Sequence, residues 1–204
     1  AAEVLAMARR EHPDDPLLQG LEGLSLAKTR RFKEAVPLLQ QALLSHPDDL
    51  RFVTTLATVY GELEQHTKAM PLIEHARTLE PDSELHELRY LAGLINLCRY
   101  DEALPLARSM ESRGHQLGST GLLLIYLGRD EEALAWLAEK LAIQPHDPGL
   151  RFQRAQLRLS HLDFEHGWDD YHYRNLGDSN RMRVLPFPIW AGEPLTGKRM
   201  IVLA

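Results

Sequence analysis

Residues 192–199, Gly-Glu-Pro-Leu-Thr-Gly-Lys-Arg, place two glycines and then a lysine at the spacing of a phosphate-binding loop. Such a loop holds phosphate with backbone N–H groups at the start of a helix, and it needs a strand before the glycines and a helix after them. Here the order is reversed. Leu185-Pro186-Phe187-Pro188-Ile189-Trp190 comes first, and its two prolines argue against a central strand. Met200-Ile201-Val202-Leu203 comes after, a short β-branched run with the pattern of a buried strand. Pro194 removes a loop N–H, and Arg199 stands where a serine or threonine would hold magnesium. The stretch reads as a linker running into a strand, and no cofactor is expected.

The other chemistry-bearing stretch is His161-Leu-Asp-Phe-Glu-His-Gly-Trp-Asp-Asp-Tyr-His-Tyr173. On a helix His161 can meet Glu165, and His166 can meet Asp170, the i, i+4 geometry of a paired metal ligand set. No HExxH or cysteine-containing spacing accompanies them. Phe164, Trp168 and Tyr171 fall at i, i+4 and i+7, which predicts a buried aromatic stripe with the acids and histidines on the solvent face. His12 and His46 each open a His-Pro-Asp-Asp turn and need no metal. Cys98 stands beside Arg99 near a helix end with no catalytic partner, and reads as a turn or packing residue. No catalytic residue, metal site or enzyme activity is expected of these 204 residues.

The elements that carry these residues follow from a repeat. His-Pro-Asp-Asp at 12–15 recurs at 46–49, 34 residues on, and Glu80-Pro81-Asp82 takes the same place one step later. Ala1, Ala35, Ala69 and Ala103 keep the beat, Ala133 comes four residues early, and Pro145 resumes it. Within a period there are two amphipathic segments: Val53, Leu56, Ala57 and Tyr60 share one helical face, and Ala69, Leu72, Ile73, Ala76 and Leu79 share the next. Leu127-Gly128-Arg129-Asp130 supplies a glycine helix end and then an Asp N-cap. The chain has a net charge of −6, which argues against a nucleic-acid partner. One cysteine, no membrane-length apolar run and no signal peptide point to a cytoplasmic, reducing location without membrane attachment.

Period and residue types together resemble the tetratricopeptide repeat (TPR) family. Gly23, Ala35, Leu39, Ala42 and Pro47 fit one copy; Val53, Leu56, Ala57, Tyr60, Ala69, Ile73, Ala76 and Pro81 fit the next; Leu117, Gly121, Leu124, Ala133, Leu137 and Pro145 fit a later one. The copy between them keeps Ala103 but has no proline at its end. The resemblance implies an all-α, right-handed solenoid of helix-turn-helix repeats over 1–174: a partial repeat 1–15, then repeats near 16–49, 50–83, 84–113, 114–147 and 148–174. A linker 175–198 and the first strand of a further α/β domain, 199–204, follow. It implies a concave groove lined by Arg51, Thr54, Thr55 and Thr58, by His86, Arg89 and Asn96, and by Phe152, Gln153 and Gln156, whose partner is a protein or peptide.

The junction is similar to that of bacterial proteins fusing such repeats to a glycosyltransferase-like domain. Phe164, Gly167, Trp168, Tyr171 and Arg174 match it first, and Pro188, Trp190, Gly192, Leu195, Gly197 and Lys198 match it next. That implies a second reading, the substrate-selecting arm of a transferase whose nucleotide-sugar residues lie outside this chain. A third reading is self-association, with Trp168, Phe187 and Trp190 capping the last repeat or pairing with another copy.

Overall fold

The computed structural model describes residues 11, 12, 14–115 and 118–175. Among these the chain is all-helical. Ten α-helices run α1 Pro16–Lys28, α2 Phe32–Ser45, α3 Leu50–Glu62, α4 His66–Leu79, α5 Glu84–Asn96, α6 Tyr100–Ser112, α7 Ser119–Tyr126, α8 Asp130–Ile143, α9 Pro148–Ser160 and α10 Phe164–Tyr171. A 3-10 turn, His172–Asn175, follows. The helices fall into two compact units that divide between Arg129 and Asp130, with α1–α7 in the first and α8–α10 in the second. The partial repeat expected over 1–15 falls almost wholly outside the described residues, and the expected strand 199–204 falls outside them altogether.

The repeat is written in its turns. Asp15, Asp49 and Ser83 occupy the N-cap of α1, α3 and α5 at 34-residue steps, and Asp147 caps α9. The Asp15 carboxylate accepts from the Leu17 N–H at 2.8 Å, and that of Asp147 from the Leu150 N–H at 2.8 Å. Each bond satisfies a donor that the helix start leaves orphaned. The first helix of each pair ends with a residue in the left-handed region: Arg30 (φ 60°), Glu64 (58°), Cys98 (55°), Gly128 (67°) and Leu162 (62°). In every case the next N–H reaches back to the carbonyl five residues earlier, as from Arg31 to Leu26 at 2.9 Å and from Asp163 to Arg158 at 3.0 Å. This is the Schellman closure. Cys98 is therefore an exposed turn residue.

Gly114 (φ 96°) closes α6 in the same way, which is why no proline is needed at the end of that copy. Asp130 opens α8 as its first residue instead of capping it from outside. Pro37, Pro71 and Pro105 recur at the same step inside α2, α4 and α6. Among the described left-handed residues, only Gly128 and Gly114 adopt that conformation without a Cβ penalty. Leu162→Gly is accordingly expected to stabilise the second unit by about 0.5–1 kcal/mol, read as a rise in its denaturation midpoint.

Burial follows the register. In the first unit Ala35, Leu39, Ala42, Phe52, Leu56, Val59, Tyr60 and Ala69 form one core cluster, with Leu24, Val36 and Ile73 packed on it. Phe52 and Val59, beside the expected Val53–Tyr60 face, are also fully buried, because α3 packs against α1 and α2 as well as α4. Gly23 lets α1 approach α2 closely: a Cβ there would lie 2.8 Å from Leu39 Cγ and 3.3 Å from its backbone nitrogen. In the second unit Leu137, Leu141 and Leu150 pack with Trp136.

Candidate functional site

Aligning the first helices on their N-caps sets equivalent side chains in columns. The second helical position carries Leu17, Arg51 and Leu85; the fifth, Gly20, Thr54 and Leu88; the ninth, Leu24, Thr58 and Ala92; the thirteenth, Lys28, Glu62 and Asn96. Leu17 and Leu85 are 39% and 56% exposed, unusual for leucines at matching positions of two helices. Leu88, one turn after Leu85, is half-buried. Arg51 is exposed between the two leucines in the series, but its guanidinium folds back on Asp49, Nη2 to Oδ2 at 2.6 Å and Nε to Oδ1 at 3.0 Å. That contact holds the Asp49 carboxyl below its ordinary range. The Thr54 hydroxyl donates to the Leu50 carbonyl at 2.7 Å and that of Thr58 to the Thr54 carbonyl at 2.8 Å. These donors are used within the helix, so the surface is less polar than its residue names suggest.

Of the other residues assigned to a groove, Asn96 and Gln156 are exposed, while Thr55, Arg89, Phe152 and Gln153 are half-buried. His86 is only 4% exposed. It is equivalent to the fully buried Phe52, its Nε2 lies 3.2 Å from Glu80 Oε2, and its Nδ1 is buried without a protein partner among the described residues. At His86 the expected register is therefore one residue out. Counting from Ser83 gives Leu85, Leu88 and Ala92 as the equivalents of Arg51, Thr54 and Thr58, with Arg89 in register with Thr55.

The two His–carboxylate pairs that helical spacing would allow do not form. His161 Nε2 meets Asp130 Oδ2 at 2.6 Å in place of Glu165, and His166 Nδ1 meets Asp163 Oδ1 at 2.9 Å in place of Asp170. The bond to Asp163 raises the pKa of His166. Among the described residues no group of three or more His, Cys, Asp or Glu is arranged to hold a metal. The expected buried stripe is also corrected: Phe164 and Trp168 are 54% and 51% exposed, and Asp170, assigned to the solvent face, is 2% exposed. α10 is turned the other way because α9 offers it arginines. Arg154 binds Asp170 in a fork, Nε to Oδ2 at 2.6 Å and Nη2 to Oδ1 at 2.9 Å. Arg151 Nη1 reaches Oδ1 at 3.2 Å and Arg158 Nη1 reaches Oδ2 at 3.2 Å. Measured from the N-caps Asp49 and Asp147, these arginines replace Val53, Leu56 and Tyr60, and Asp170 replaces Leu72.

Residues 3–111 match the family model described as the Psidin N-terminal TPR repeats region. The chain belongs to the TPR family. As a TPR chain it is 28% identical over 174 residues to Protein FlbA of Caulobacter vibrioides, a match covering 78% of this chain and spanning 28% of the length of FlbA. Among solved structures it resembles MamA from Desulfovibrio magneticus RS-1 (TM-score 0.64, 13% identity, 77% of this chain and 91% of that one). It also resembles YrrB, described as a TPR protein with an unusual peptide-binding site (TM-score 0.61, 18% identity, 85% and 91%). At these identities the likeness shows the fold. No described helix is long and apolar enough to cross a membrane.

Proposed function

We propose that this chain is a peptide-binding TPR module. Its recognition surface is built from the N-cap-aligned columns of α1, α3 and α5, and its ligand is an extended or helical segment carrying apolar side chains. The observation that carries this reading is the pair of exposed leucines, Leu17 and Leu85, at equivalent positions, with Leu88 beside Leu85 and with the exposed Thr58 and Ala92 in a further column. The likeness to YrrB, a peptide-binding TPR protein by its description, supports it. Arg51 and Asn96, both exposed, supply the polar contacts that fix register. The test is a peptide-array screen followed by titration of the captured peptide. Leu85→Glu, at an exposed site, leaves the helical signal unchanged and weakens binding at least tenfold, while Arg51→Ala weakens it less. Undiminished binding in Leu85→Glu overturns the assignment.

A second reading is favoured by the length of the relative, of which the matched stretch is 28%: the module serves as the recognition arm of a longer protein. In the transferase version, supported by Phe164, Gly167, Trp168, Tyr171 and Arg174, the captured segment is an acceptor polypeptide. Cytoplasmic location is proposed on the single cysteine.

A further inference from the structure

The repeats also show what the aromatics of α10, the exposed Trp168 and the half-buried Tyr171, are equivalent to. Trp168 and Tyr171 stand 98 residues after Met70 and Ile73, the same offset that separates the N-caps Asp49 and Asp147 and the left-handed turn residues Glu64 and Leu162. In the first unit Met70 and Ile73 are the stacking surface of α4. The next helix, α5, lies so close that a Cβ on Gly93 would fall 2.9 Å from Met70 Sδ and 3.5 Å from Ile73 Cδ1. On α10 that surface is larger and aromatic. Trp168 and Tyr171 meet edge to face with centroids 5.3 Å apart, and Phe164 extends the row by one turn. Yet Trp168 and Phe164 stay about half exposed, because among the described residues no helix follows to cover them. The equivalent surface of the first unit is the one that stacking buries.

We propose that this aromatic face is the seat of the chain's own segment Leu185-Pro186-Phe187-Pro188-Ile189-Trp190. Three features select it. Its prolines lack N–H groups, so it can be laid against rings without stranding backbone donors, the chemistry by which aromatic surfaces take proline-rich segments. The stretch of chain from Asn175 to Leu185 can extend to about 33 Å, against about 12 Å for the length of α10, and so short a tether holds the segment at roughly millimolar effective concentration. The charges match: Arg181 and Arg183 precede the segment, and the exposed Glu165 and Asp169 flank the aromatic row on α10. Two prolines in six residues favour extended backbone over a helix, so the segment is proposed to lie as an extended strap.

Hydrogen exchange on the 204-residue chain tests the proposal. The amides of Leu185, Phe187, Ile189 and Trp190 are expected to exchange at least tenfold more slowly than in the free peptide. That protection is lost in Trp168→Ala and in Phe187→Ala, while the helical signal and the protection of α9 stay unchanged. Phe187 lies outside α10, so its variant does not depend on how that helix tolerates substitution. Unprotected amides in the parent chain, or protection that survives Trp168→Ala, overturn the proposal. Protection that grows with protein concentration alongside a rise in sedimentation coefficient also overturns it, and assigns the face to a second copy.

Discussion

Asp170→Ala should lower the stability of the second unit by about 2–4 kcal/mol. Removing one partner of a buried ion pair costs more than the pair contributes, because the remaining charge stays desolvated without compensation. Asp170 is 2% exposed and takes hydrogen bonds from three guanidinium groups, so its loss leaves three neighbouring cations on one face of α9 with no counter-charge from α10. The arginine side chains keep some contact with water, which places the expected cost below the roughly 3–5 kcal/mol typical of a fully enclosed pair. Asp170→Asn keeps the shape and removes the charge, and should lose nearly as much. The measurement is denaturation followed by tryptophan fluorescence, because Trp136, Trp168 and Trp190 all lie after residue 129. An unshifted midpoint in both variants would show the cluster to be energetically silent.

The same register supplies the control. Replacing Arg151, Arg154, Arg158 and Asp170 together by valine, leucine, tyrosine and leucine, their equivalents in the second repeat, should be neutral or stabilising by about 1–4 kcal/mol, because apolar packing substitutes for a costly desolvated network. The opposite signs of the single and the fourfold change distinguish an ionic latch from plain packing.

This latch is not legible in the sequence, for a physical reason. Arg151, Arg154 and Arg158 lie at i, i+3 and i+7, the spacing of a core stripe, but a charged stripe on a helix reads as solvated surface. Only a carboxylate brought in from α10 turns it inward, and Asp170 sits among other acids and histidines with nothing in their spacing to single it out. The exposed state of Phe164 and Trp168 is hidden for a related reason. A hydrophobic row on a helix says that something should cover it, not that the cover is present. By contrast, the helix pairs are plain, because turns with His-Pro-Asp-Asp and alanines at a fixed step encode local geometry. His86 lies between these cases: periodicity finds the helix but leaves its rotation open by one residue, and the N-cap at Ser83 is what sets it.

The other large effect is expected where α1 crosses α3. Phe52 is fully buried, and Gly20 leaves the space its ring fills: a Cβ on Gly20 would lie 2.6 Å from Phe52 Cε1 and 2.8 Å from Ala42 Cβ. Phe52→Ala should cost the first unit about 3–5 kcal/mol, the transfer term of the ring plus the cavity it leaves. Gly20→Ala gains about 1 kcal/mol of helix propensity but forces the ring and Ala42 apart, at roughly 1–3 kcal/mol, so it should be destabilising on balance. In the double variant the new methyl enters the space the ring vacated. Its cost should therefore fall below the sum of the two single changes by at least about 0.5 kcal/mol, the coupling expected of groups in direct contact. Far-UV circular dichroism against denaturant, on the two single variants and the double, closes the cycle. Additive costs would mean that Gly20 is required by Ala42 or by the α1 backbone and not by the ring.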